Sequence, residues 1–276
     1  MELAIDTSMM RSLPLGSALE SLGGLGYRNV EVGLAHYYPH VASDAETKQF
    51  EETLSSSGLR LAALCGTYPV SFPEYDIRKK GVQYFQTTIE RARRLGCKLV
   101  VSEMMGESKR FSECAEAFRT SMRELEPSLE RAGVTVCFEA HPGDLTDKNQ
   151  VAVDLIRGLE SAHIRYLFCA PHCFILGDDV AQMVDHARDT LGYVHLADTL
   201  RPNRTFFSGR YRPDVPPHQH LTPGKGDVDF AAVISSLKRV NYGGFLSINP
   251  FSMFDKPLES AEESRRVIGA LLGPEV

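Results

Sequence analysis

The sequence predicts one (β/α)8 barrel spanning residues 1–276. Three observations predict it. Short apolar runs rich in Val, Ile and Leu alternate with amphipathic stretches along the whole chain, which implies a parallel sheet with helical crossovers. Eight such units fill 276 residues, and α/β barrels of about 250 residues fold as one domain. The first strand is followed by Asp6-Thr7-Ser8-Met9, not by the Gly-rich turn that marks an open nucleotide-binding sheet, so no nucleotide cofactor is expected.

The expected strands are Leu3 to Asp6, Asn29 to Gly33, Leu59 to Gly66, Lys98 to Met104, Val134 to His141, Tyr166 to His172, Tyr193 to Asp198 and Phe245 to Pro250. Helical spacing of three and four marks Lys79 to Leu95, Ser112 to Ala132 and Val228 to Val240 between them. Gly26, Gly96, Gly133 and Gly192 precede strands and read as helix stops. Thr199 to Asp227 is a long stretch rich in Pro, Arg and His, and a loop of that length inside a domain is usually functional.

Composition narrows the function. A net charge of −6 offers no broad basic face for a phosphate backbone, so nucleic acid is not an expected partner. No apolar stretch reaches the 18 or so residues of a membrane helix, and the N-terminus lacks signal-peptide character. The six cysteines show no CxxC spacing, which reads as reduced thiols in a cytoplasmic protein.

In a barrel, reactive side chains gather where strands run out into the βα loops. Polar residues stand at most of these points: Asp6, Glu31, Glu103, Glu139 with His141, Cys169 with His172, His195 with Asp198, and Asn249. A carboxylate inside the apolar run around Glu139 requires a charged partner or a metal. Glu139 and His195 are therefore the expected centre of a small-molecule site. Glu31 and Glu103 read either as substrate-orienting groups or as interior ion-pair partners, and Asp198 either as a substrate contact or as a cap. His36 and His40 read as loop histidines, His163 and His186 as structural. In the long loop His218 and His220 are expected to bind substrate as part of a lid or wall, and Arg201, Arg204, Arg210 and Arg212 read either as anion-holding groups or as solvated ones.

At these strand ends the sequence resembles the xylose-isomerase-like barrel superfamily of sugar-phosphate isomerases and epimerases. The segments CFEAHP, CAPH, YVHLADT and GKGDVDF…LKRVNYGGFLSI carry the resemblance. FCAPHCFILGDD and HQHLTPGKGDVDF resemble more closely the inositol-catabolism protein H (IolH-like) branch. The resemblance implies a divalent metal held by Glu, Asp, His and Glu from strands five to eight. Glu139 and His195 match that pattern, whereas Cys169 stands for the Asp and Asn249 for the second Glu. Two lost negative charges weaken a hard-metal site, and a set of Glu139, His195, Cys169 and His172 suits Zn²⁺ or Mn²⁺.

The expected chemistry is sugar or polyol isomerisation by proton abstraction beside a carbonyl, with Glu139, His141 and His172 as catalytic groups. Asp6, Glu31, Glu103, Asp198, His218, His220 and Asn249 are the expected substrate contacts. A dehydratase or lyase acting on a cyclic polyol or keto sugar, or a non-catalytic sugar-binding barrel, are the alternatives. An abasic-site endonuclease shares the architecture, but the acidic charge disfavours it. A homo-oligomer is expected from the resemblance alone.

Overall fold

The computed structural model describes residues 1–200 and 219–273. Eight parallel strands close into one barrel in chain order, β1 to β8, with β8 pairing back onto β1. The strands are β1 (Glu2–Asp6), β2 (Asn29–Val32), β3 (Arg60–Cys65), β4 (Leu99–Glu103), β5 (Thr135–Glu139), β6 (Ile164–Cys169), β7 (Leu191–Leu196) and β8 (Phe245–Ile248). An outer layer of helices covers them: α1 (Leu15–Gly24), α2 (Asp44–Ser57), α3 (Tyr75–Arg94), α4 (Phe111–Ala132), α5 (Asn149–Arg157), α6 (Ala170–Ile175), α7 (Val180–Ala187), α8 (Phe230–Arg239) and α9 (Pro257–Leu272). Among the described residues no helix is long and apolar enough to cross a membrane.

The helices form where their sequences cap them. Ser43 and Glu46 build a reciprocal capping box at the start of α2, and Gly58 ends it with φ of 69°. Gly26, Gly96 and Gly133 take positive φ beyond α1, α3 and α4 and turn the chain into the next strand. Gly192 does not stop a helix; it lies inside β7. A Cβ there would sit 2.6 Å from the Arg165 Cβ and 2.7 Å from the Cys137 Sγ, so this glycine answers a close approach between strands.

Alternation along the strands gives two cores. Outward-facing residues such as Ile5, Val100, Phe138, Phe168 and Val194 pack under the helices. Inward-facing Ala63, Val101, Cys137, Leu167, Cys169 and Tyr193 fill the barrel itself. The end formed by the strand N-termini is closed by Arg60, which donates to Asn29 Oδ1 (2.8 Å), pairs with Glu2 and lies over the Phe245 ring. The strand-end polar residues collect at the opposite end.

One boundary differs from the expected pattern in a way that shapes the site. Tyr166 to His172 reads as a single strand, yet β6 ends at Cys169 and α6 begins at Ala170. Pro171 stands in the first turn of this helix, where its missing N–H costs nothing and its fixed φ favours the turn. The Cys169-x-x-His172 spacing thereby becomes one helical turn, and both side chains fall on one side.

Candidate active site

A cavity of about 280 Å³ opens at the C-terminal end of the barrel, lined by Asp6, Glu31, Glu103, Glu139, His195 and Asn249 among others. These lie on or directly after β1, β2, β4, β5, β7 and β8. Six residues expected from sequence to form the site thus meet at one cavity.

His195 is the hub. Its Nε2 lies 3.0 and 3.2 Å from the two Glu31 oxygens, and its Nδ1 lies 3.6 Å from Glu139 Oε2. All three residues are buried. Burial opposes the imidazolium, but the Glu31 carboxylate outweighs it and holds the His195 pKa well above its ordinary value. Glu139 shows the complementary effect. Burial would raise its pKa, yet His172 and His195 together hold it well below the usual carboxylate range. Glu31 thus falls on the ion-pair side of its two readings, while still facing the cavity.

Behind Glu139 runs a chain of histidines. His172 Nδ1 lies 3.7 Å from Glu139 Oε2, and His172 Nε2 lies 3.2 Å from His220 Nε2. His220 Nδ1 is 3.1 Å from the Asn249 carbonyl oxygen, which only accepts, so that nitrogen carries the proton. Burial and the neighbouring His172 push the His220 pKa well down. Burial also works against a charged His172, but the Cys169 sulfur and Glu139 carboxylate prevail and raise it to about 10. His220 stacks on Phe251 with ring centroids 4.0 Å apart, and its backbone N–H donates to Ser252 Oγ (2.9 Å).

Potential metal donors converge at the same place. The ligand atoms of Glu139, Cys169 and His195 lie within 4.8 Å of one another, as do those of Cys169, His172 and His220, and those of Glu103, Glu139 and His141. Two features of the first group suit a cation. Glu139 Oε2 is buried, and its contacts to His195 and His172 are long, at 3.6 and 3.7 Å. The Glu31 contact fixes which His195 nitrogen turns inward, the usual arrangement behind a metal-bound imidazole.

His141 is half-buried beside Glu103, at 3.8 Å, and Asp144, at 3.2 Å. Its ring meets that of His172 edge-on at 5.0 Å. It therefore flanks Glu139 without lining the cavity. Asp198 takes the cap role, away from the cavity. Its Oδ1 accepts from the Thr199 and Val228 amides and its Oδ2 from the Gly224 amide, which shapes the Gly224-Lys225-Gly226 turn. A Cβ on Gly226 would lie 2.4 Å from that carboxylate. His218 and the four loop arginines, 201, 204, 210 and 212, lie outside the described residues.

The remaining histidines stand apart. His36 Nε2 contacts the Leu13 carbonyl, His40 packs on Tyr68 and Tyr84, and His163 Nδ1 contacts the Val134 carbonyl. His186 lies 3.3 Å from Asp154.

Sequence reasoning missed several lining residues. Arg11, whose guanidinium lies 3.5 Å over the Phe254 ring, forms one rim with Phe251 and Phe254. Cys65 and Thr67 line the wall beyond β3. The available signal was position: Arg11 follows the first strand and the two phenylalanines follow the eighth, in loops that a barrel turns toward its mouth.

Comparison with known proteins agrees with this architecture. Residues 20–271 match the family model described as xylose isomerase-like TIM barrel. The inosose isomerase of Bacillus velezensis is 21% identical over 232 residues, 82% of this chain and 79% of that one. The D-psicose 3-epimerase of Enterocloster bolteae is 25% identical over 136 residues, 48% of this chain and only 39% of that enzyme's length. Among solved structures, the IolI protein with a bound zinc atom superposes with a TM-score of 0.83 at 17% identity, covering 99% of this chain and 98% of that one.

Proposed function

Because the chain belongs to the xylose isomerase-like TIM barrel family, we propose that it is a sugar or polyol isomerase-type enzyme that removes a proton beside a carbonyl. The observation that carries this reading is the meeting of the Glu139, Cys169 and His195 donor atoms within 4.8 Å at the wall of a cavity lined with polar groups. The names of the relatives, an inosose isomerase and a D-psicose 3-epimerase, support the same substrate class, a keto sugar or cyclic ketone bearing hydroxyls.

Glu139, Cys169, His172 and His195 would hold the metal. A thiolate and two imidazoles favour Zn²⁺ over Mn²⁺ and Mg²⁺. The zinc in the IolI structure supports that choice. When bound, such an ion supplies Lewis-acid stabilisation of charge developing on the substrate carbonyl oxygen.

The protein's own groups perform the rest. The Glu139 carboxylate accepts the proton from the carbon beside the carbonyl, and the electron pair moves to the carbonyl oxygen to give an enediolate. His172 lies 3.7 Å from Glu139 and 3.2 Å from His220, whose other nitrogen is held by the Asn249 carbonyl, so the two histidines fix the position of the Glu139 carboxylate. The Asn249 side-chain oxygen, buried and without a hydrogen-bond partner on the cavity wall, is placed for a substrate hydroxyl. The cavity carries Arg11 as its lone Lys or Arg among the described lining residues, against four carboxylates. That balance suits an uncharged polyol better than a phosphate ester.

The test is proton exchange. Ketohexoses and inososes incubated in deuterium oxide with the zinc- or manganese-loaded protein should gain deuterium at one carbon beside the carbonyl. Glu139→Gln should abolish this for at least one substrate. A panel in which no substrate exchanges would refute the reading.

A further inference from the structure

Resting on that reading, the cavity raises a stereochemical question. A single base can return the proton only to the face from which it came, whereas inversion at carbon requires a second acid/base on the opposite face. The structure allows that second group to be sought by elimination among the described residues lining the cavity. These include seven whose side chains ionise: Asp6, Arg11, Glu31, Cys65, Glu103, Glu139 and His195.

Most of them are committed. Glu31 and His195 hold each other at 3.0 Å. Glu103 pairs in register with Glu139 on the neighbouring strand and so stands on the same wall. Arg11 offers only donors and lies over the Phe254 ring. Burial pushes the Cys65 thiol well above its ordinary range. Asp6 remains, and its position is the one required. It ends β1, four strands from β5 in either direction round the closed ring, so it faces Glu139 across the barrel mouth. It lies one residue beyond the Ile5–Ile248 pair of β1 and β8, beside Asn249, whose amide cannot titrate.

We propose that Asp6 is the second acid/base of this site, exchanging a proton with the substrate carbon on the face turned away from Glu139. The surroundings equip it. Ser8 N–H donates to Oδ1 (2.8 Å) and anchors the carboxyl at the head of the loop. A Cβ on Gly33 would collide with Ser8 Oγ at 1.8 Å and lie 2.9 Å from that same Asp6 oxygen, so the glycine leaves room for the Asp6–Ser8 pair. Burial, reinforced by the Glu31 carboxylate opposite it in register, raises its pKa to about 7, against weaker lowering by Ser8 and His195. The groups facing it are Glu31 on β2, His195 on β7 and Cys65 on β3.

The step balances. Glu139 takes the proton from carbon and the carbonyl becomes an enediolate. The Asp6 carboxylic acid then delivers its proton to the other face, the carbonyl reforms, and Asp6 is left as carboxylate with Glu139 protonated. Solvent exchange returns both.

The experiment uses the epimer pair that the wild-type protein interconverts, found among ketohexoses and inososes, in deuterium oxide. Asp6→Asn retains an acceptor for the Ser8 amide and removes the proton. Its interconversion should fall at least 100-fold, while exchange from one epimer stays within tenfold of wild type. Glu139→Gln should show the mirror image, with exchange persisting only from the other epimer. Interconversion by Asp6→Asn within tenfold of wild type would overturn the assignment, and so would equal loss of exchange from both epimers in a variant with an unchanged melting temperature. A wild-type protein that exchanges protons without inverting the carbon would also overturn it while leaving the isomerase reading intact. A wild-type protein inert toward every member of the panel would overturn that reading and Asp6 with it.

Discussion

His195 presents its two ring nitrogens to two carboxylates, Nε2 at 3.0 Å to Glu31 and Nδ1 at 3.6 Å to Glu139. The first contact turns the second nitrogen toward Glu139 and Cys169. Glu31 therefore acts on the proposed metal through His195. Glu31→Gln keeps the shape and weakens the pull on the ring. Zinc affinity should fall about 10- to 100-fold, read by competition with a chromophoric chelator, whereas an unchanged affinity would separate Glu31 from the site.

Cys169 decides which metal is preferred. Its thiol stands within 4.8 Å of donor atoms on Glu139 and His195. Cys169→Asp should shift preference from Zn²⁺ toward Mn²⁺ by at least about tenfold, because a hard oxygen replaces a soft sulfur. Paired titrations of the two ions against wild type and variant measure the shift.

Gly192 tests the packing of the strands beneath the site. Adding a methyl there forces the Arg165 and Cys137 side chains apart, since the new carbon would start 2.6 and 2.7 Å from them. Gly192→Ala should destabilise the fold by about 1–3 kcal/mol and lower Tm by several degrees in a thermal melt. An unchanged Tm would show that β6 and β7 yield more easily than their contacts imply.

Asp6 also links stability to pH. Its folded pKa of about 7 lies above the ordinary carboxyl value of 3.8, so the folded state binds the extra proton between those values. The contribution to stability is fully present below about pH 4 and is lost as pH rises through 7. The upper bound on that loss is about 4 kcal/mol. Asp6→Asn should therefore flatten the decline in unfolding free energy between pH 4 and 8, measured by urea denaturation of the metal-free protein. A variant with the wild-type slope would assign the decline to another group.

The strands were legible because each is a short apolar run bounded by turn residues, and their ends carried the polar groups that the cavity brings together. Glu31, Glu103, Glu139, His195 and Asn249 could be read from strand position alone. Four features were not legible for physical reasons. The run FCAPHCFIL is apolar apart from His172, so periodicity could not separate the end of β6 from the start of α6; Pro171 was the available signal. Gly192 reads as a helix stop, whereas the tight contact that requires it comes from Arg165 and Cys137, distant in sequence. Asp198 lies two residues beyond the strand that carries His195, yet its carboxylate is used by backbone amides that arrive from residues 224 and 228. Arg11 and Phe254 meet only because loops from opposite ends of the chain join at the barrel mouth.

The most direct test of the account is the metal content of the purified protein by inductively coupled plasma mass spectrometry, beside a Glu139→Ala/His195→Ala variant of equal fold by circular dichroism. The account predicts one equivalent of zinc or manganese per chain after incubation with the ions, and none in the variant. No bound metal in either protein would contradict it and leave Glu139 as a base acting without an ion.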